Sequence, residues 1–82
     1  MTITVLYFAA IRDLAGIAEE QLARPANVRT LADFQTYLPT VRPALAGKLA
    51  GVRFAINETF ADPAEPVEDG DVVAIIPPVS GG

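Results

Sequence analysis

Two stretches of the chain are apolar at consecutive positions, and between them lie segments that alternate. Ile3 to Phe8 sets Ile3, Val5 and Tyr7 against Leu6 and Phe8, apolar on both faces and rich in β-branched and aromatic residues; this predicts a central strand. Val72-Val73-Ala74-Ile75-Ile76 predicts a second buried strand near the other end. Ala9 to Ala15 reads as a short helix with Gly16 as its stop, and Glu19 to Ala23 as a strand pairing back antiparallel on the first until Pro25-Ala26-Asn27 breaks it. Leu31, Phe34 and Leu38 fall at helical spacing. Thr30 before them is a good N-cap, with Asp33 at the third helical position, so the main helix is expected from there to a stop at Pro39. A helical turn and a loop are expected over 43–51. Val52, Phe54 and Ile56 alternate inward along a third strand over 52–57. Glu58-Thr59 reads as a turn before Phe60, a very short strand is expected near Val67, and Asp69-Gly70 is a strong turn signal before the last strand.

The resulting order is strand, strand, main helix, strand, short strand, strand. An α+β domain with a mixed sheet of four to five strands and one main helix packed on one face satisfies it, provided the first and last apolar strands are central neighbours. With that pairing the order is similar to the β-grasp arrangement of ubiquitin-like proteins, although periodicity alone also fits another α+β layering. The domain is expected over 1–76, followed by a flexible C-terminal tail over 77–82.

That tail is Pro77-Pro78-Val79-Ser80-Gly81-Gly82. The prolines hold φ near −65° and cannot extend a sheet ladder, while the glycines remove every side chain from the tip. Six extended residues reach at most about 20 Å, far enough to place a carboxylate inside another protein. Two glycines at a terminus are, in an arbitrary chain, a frayed end or a cloning scar. A buried strand feeding two prolines argues for a presented tip instead.

Composition narrows the chemistry. At 82 residues there is one small domain. It has no cysteine and no histidine, and Ser80 is its single serine, which excludes a Ser-His-Asp triad, a cysteine nucleophile and the usual zinc ligand sets. The lack of cysteine fits a reducing compartment. No charged leader precedes Ile3 and no apolar run approaches membrane length, so a cytoplasmic location is expected. Six basic against ten acidic side chains give a net charge of −4, which opposes nucleic-acid binding. Glu68, Asp69 and Asp71 read as a cation site or as turn chemistry, the latter favoured because Gly70 lies among them; Lys48, the sole lysine, reads as a solubilising residue or a modification target.

The closing run from Val67 to Gly82, with Asp69-Gly70-Asp71, an apolar strand and Pro77-Pro78-Val79-Ser80-Gly81-Gly82, resembles the end of the small, sulfur-carrier subunits of molybdopterin synthase (the MoaD type). The opening from Val5 to Gly16 and the Ile56-Asn57-Glu58-Thr59 segment are similar to that family's start and middle. Family members often carry aromatics where this chain has Ile75 and Ile76. The resemblance implies that Gly82 is adenylated by a ubiquitin-activating-like adenylyltransferase using ATP. It then carries sulfur as a C-terminal thiocarboxylate, and donates it to cyclic pyranopterin monophosphate in the larger synthase subunit, within a heterotetramer.

The chain itself would be a non-catalytic sulfur donor that binds no cofactor. Position in the matching motifs makes Phe8, Arg12, Phe60 and Ile76 the docking candidates around the inserted tail. Each has a plain alternative, since apolar strand residues are by default core and an arginine on a helix is by default solvated. Exposed clustering is what separates the readings. A sulfur carrier for thiamine biosynthesis or another pathway, and a ubiquitin-like protein modifier, are the competing functions; Pro77-Pro78 and the chain length weigh against the first.

Overall fold

The computed structural model describes residues 2–78; Met1 and the expected tail residues Val79, Ser80, Gly81 and Gly82 lie outside the described residues. Eight elements follow one another: β1 (Thr2–Tyr7), α1 (Ala9–Ala15), β2 (Glu19–Ala23), α2 (Leu31–Val41), a 3₁₀ turn (Pro43–Leu45), β3 (Arg53–Ile56), β4 (Thr59–Phe60) and β5 (Val72–Ile76). They form one mixed sheet in the order β2-β1-β5-β3-β4. The first and last strands are parallel central neighbours, with Val5 opposite Val73 and Tyr7 opposite Ile75. The other pairings are antiparallel. This is the β-grasp.

One face of the sheet is buried under the helices. Ile3, Val5 and Tyr7 of β1, Val73 and Ile75 of β5 and Phe54 of β3 join Leu31, Phe34 and Leu38 of α2, Ile11 of α1 and Leu45 in a single core cluster. Strand alternation and the three- and four-residue spacing of the helix generate this list directly. Thr30 caps α2 through a complete capping box: its side chain accepts from the Asp33 N–H while the Asp33 carboxylate accepts from the Thr30 N–H. At the other helix, Gly16 takes φ of 81° and donates to the Arg12 carbonyl at 2.9 Å, ending α1 where the sequence predicts.

Four local expectations are corrected. Pro39 does not end α2, which runs on to Val41. A proline near a helix end removes one hydrogen bond and keeps a helical φ, and the Arg42 N–H still reaches the Leu38 carbonyl at 2.9 Å. Strand β1 stops at Tyr7, so Phe8 is the residue before α1 rather than a strand member. The turn falls on Asn57-Glu58 instead of Glu58-Thr59. Both residues have positive φ, 50° and 73°, the mirror-image two-residue turn that matches strand twist. The short strand is therefore Thr59–Phe60, and near Val67 there is only an isolated bridge between Thr30 and Pro66, with Val67 itself buried.

A polar network closes the β2 side of the core. The Tyr7 hydroxyl donates to Glu20 Oε2 at 2.5 Å, Arg42 Nε donates to the same oxygen at 2.7 Å, and Arg42 Nη2 pairs with Glu20 Oε1. Hydrogen bonding from Arg42 is the main influence holding the Glu20 carboxyl below the usual carboxylate range, against an opposing effect of partial burial. Burial first, and then the Glu20 carboxylate, push the Tyr7 phenol well above its ordinary value.

The two groups act on stability at opposite ends of the pH scale. Glu20 is more acidic folded than unfolded, so its contribution is complete above the unfolded value of about 4.3 and is lost as pH falls through the folded one. Tyr7 is less acidic folded than unfolded, so its contribution is complete below about 10 and declines as pH rises beyond that. Glu20→Gln is expected to flatten the acid limb of a plot of urea midpoint against pH and, because it removes the carboxylate that helps raise the Tyr7 phenol, to weaken the alkaline limb while leaving the part that comes from burial. An unchanged acid limb would show that the network does not govern acid stability.

Candidate functional site: the open face of the sheet

Because both helices cover one face, the other stays open, and its outward positions are apolar. The strand registers line up Leu6 with Ala74, Ala74 with Ala55, and Ala55 with Phe60, a row that crosses four strands. Ala55 is buried yet is not part of the cluster under the helices, since it sits in the floor of this second surface. Phe8, Val72 and Ile76 complete a groove of about 330 Å³, with Glu58 at its rim. Phe8 is 44% exposed and Phe60 is 55% exposed. A contiguous apolar surface left open in this way is a candidate interaction site.

The pairing that makes the groove also places the chain's exit. Strand β5 runs along the groove and ends at Ile76, opposite Arg53, and the chain continues through Pro77 and Pro78. The Pro78 ring passes close to Gly51, with Cγ 3.9 Å from where a β-carbon on Gly51 would stand. The sheet's open face and the root of the tail are thus one continuous surface.

The β3–β4 turn is tied to the start of β5 by the Asn57 amide. The Asn57 N–H donates to the Val72 carbonyl at 2.8 Å, the Val72 N–H donates to Asn57 Oδ1 at 2.9 Å, and Asn57 Nδ2 donates to Asp71 Oδ1 at 3.0 Å. Asp71 Oδ2 in turn accepts from the Glu68 N–H at 2.8 Å. These bonds fix the β3–β4 turn, and through it the start of the strand bearing Phe60, relative to β5. They also account for the acidic cluster. Asp71 is spent on turn hydrogen bonds, and Asp69 pairs with Arg24 at 2.7 Å, a contact that holds its carboxyl below the usual range.

Of the four docking candidates, the structure brings Phe8, Phe60 and Ile76 around one groove, although 68 positions separate the first from the last. Arg12 is not among them. It is exposed on α1, in a shallow depression beside Asp13, Gly16, Ile17 and Ala18. The tail residues Val79, Ser80, Gly81 and Gly82 lie outside the described residues. Pro77 is half-buried and Pro78 exposed at the root.

The sequence reading omitted Leu6, Ala55, Val72 and Ala74. For Leu6, Val72 and Ala74 the signal was present in the double-faced apolar pattern of the first and last strands; Ala55, on β3, carried none beyond its outward place in the alternation. In a sheet with helices on one side only, such strands leave one apolar face uncovered.

A single-layered β-grasp sheet with an apolar open face, discharging its central strand into a proline-led tail, is a ubiquitin-like domain. The chain belongs to the ThiS family, whose model matches residues 5–82. It is 39% identical, over the full length of both chains, to the molybdopterin synthase sulfur carrier subunit of Chlamydomonas reinhardtii. Among solved structures it is similar to SAMP1 from Haloferax volcanii, with a TM-score of 0.86 at 24% identity over all of both chains. It is similar also to a chain in the complex of subunits 1 and 2 of the molybdopterin-converting factor from Helicobacter pylori, with a TM-score of 0.71 at 24% identity and full coverage of both. At that identity the two structures speak for the fold.

Proposed function

We propose that this chain is the sulfur-carrier subunit of a molybdopterin synthase, working in the cytoplasm with a large synthase subunit and an ATP-dependent adenylyltransferase. The observation that carries the reading is the end-to-end similarity to a sulfur carrier subunit, joined to a surface in which the tail's root emerges beside Phe8, Phe60 and Ile76.

A carboxylate is a poor acyl donor because its leaving group would be oxide. Adenylation at Gly82 replaces that leaving group with AMP and releases pyrophosphate. Attack by hydrosulfide, or by a donor that delivers sulfur at that oxidation level, then forms the carbon–sulfur bond, expels AMP and leaves a thiocarboxylate. This sulfur is anionic and polarisable, the character a nucleophile needs, and it is obtained without a cysteine. The large subunit would take the tail into its pocket while its body rests on the open face, and two successive transfers to cyclic pyranopterin monophosphate would build the dithiolene. The proposed assembly is a heterotetramer of two carriers and two large subunits. The residues of this chain bind, orient and present the terminus; acid and base groups come from the partner.

Incubation with the adenylyltransferase, ATP and a sulfur source tests the reading. The intact mass is expected to rise by the difference between sulfur and oxygen, localised to the C-terminal peptide, and the charged carrier is expected to convert cyclic pyranopterin monophosphate to molybdopterin when the large subunit is added. Conjugates to lysine side chains with no sulfur-bearing form would instead identify a protein modifier.

A further inference from the structure

We propose that Arg53 is a positioning residue that holds the Phe60 ring in the posture in which the open face meets the large synthase subunit; this rests on the reading of the groove as the docking surface. The Arg53 guanidinium lies over the Phe60 ring, 4.2 Å from its centroid, well inside the range of a cation–π contact. Register explains the contact. Ala55 faces Phe60, so Arg53, two residues earlier on β3 and on the same side of the sheet, is the diagonal neighbour of Phe60.

Phe60 needs such a restraint. It belongs to a two-residue edge strand, more than half of it is exposed, and it is not part of the core cluster. Its ring also borders a second hollow of about 440 Å³, shared with Gln35, Val52 and Arg53, so the side chain stands between two surfaces. An exposed phenylalanine samples several χ1 wells, and fixing one on binding costs affinity. A guanidinium across one face of the ring selects the well before the partner arrives. Among the described residues no carboxylate pairs with Arg53, which leaves its planar face to the ring.

The test is a double-mutant cycle in the full chain, using Arg53→Ala, Phe60→Ala and the double variant, with affinity for the large subunit measured for each. Arg53→Ala alone is expected to weaken binding about two- to fivefold, the range of an exposed cation–π contact. It should raise KM for the thiocarboxylated carrier at unchanged kcat and leave the melting temperature in place. In the Phe60→Ala background the same change should have no further effect. Three-bond couplings should show a single Phe60 χ1 rotamer in the parent and averaging in Arg53→Ala.

Equal losses in both backgrounds would overturn the proposal, since Arg53 would then act on the partner directly. An unaltered affinity in Arg53→Ala would overturn it as well. Should Phe60→Ala itself leave affinity untouched, the docking reading of the groove fails with it, a result distinct from an additive cycle.

Discussion

Deletion of Gly82 is expected to abolish sulfur donation completely while leaving the fold as it is. The described core is assembled from residues between Ile3 and Ile75, and the groove is complete by Ile76. Shortening the chain by one residue at position 82 removes a member of neither. The variant should therefore melt with the parent and bind the large subunit through the open face, yet show no gain in mass with adenylyltransferase, ATP and sulfur source. A further consequence is inhibition: added to a working synthase assay, it should compete with the charged carrier for the same surface. Residual turnover by the deletion variant, or a lowered melting temperature, would contradict the assignment of the terminus as the sole reactive group.

The second large effect is expected at the open face. Phe60→Ala removes the most exposed large apolar side chain among the described residues, from the edge of the groove. Aromatic anchors at the centre of an interface commonly cost about 2 kcal/mol or more on truncation, which is some thirtyfold in affinity. Because the ring lies outside the core cluster, stability should change by about 0.5 kcal/mol or less, as for ordinary surface positions. Ile76→Lys is a harsher probe of the same surface. It puts a cation directly across the ladder from Arg53, so binding should fall at least as far, with some loss of stability besides. Calorimetric titration against the large subunit, run beside a thermal melt, separates the two effects. Full affinity in both variants would remove the groove from the interface.

Much of the architecture was legible in residue order because its determinants are local. Side-chain alternation in Ile3–Tyr7 and Val72–Ile76, the spacing of Leu31, Phe34 and Leu38, the Thr30 cap and the Gly16 stop each depend on neighbours a few positions away. The misreadings were also local, and each has a plain cause. Pro39 would carry the full penalty in a helix interior, whereas in the last turn it forfeits one bond that the chain can spare. The β3–β4 turn slid by one residue because Asn57 and Glu58, neither of them glycine, adopt positive φ, a cost offset by the Asn57 bonds to Val72 and Asp71. Nothing in the local sequence announces those partners. They arrive from 14 and 15 positions further along.

The docking candidates divide on the same ground. Phe8, Phe60 and Ile76 looked alike as apolar residues at strand ends, equally suited to a core or to a surface. Their assembly around one groove follows from the order β1-β5-β3-β4 and its registers, and Arg12, chosen by the same motif reasoning, ends up elsewhere on α1. The Arg53–Phe60 stack was invisible for a related reason: it is a diagonal contact across a two-residue edge strand whose position the alternation did not reveal.

By itself, the amino-acid order determined the kinds of element, the identity of the apolar residues, the lack of cysteine and histidine, and a Gly81-Gly82 pair without side chains, all consequences of short-range stereochemistry and composition. The tertiary structure alone decided which apolar residues would be hidden and which displayed. A strand alternates between two faces, but only the placement of both helices on one side, and the parallel pairing of β1 with β5, leaves Leu6, Ala55, Ala74 and Phe60 as an open surface at the root of the tail.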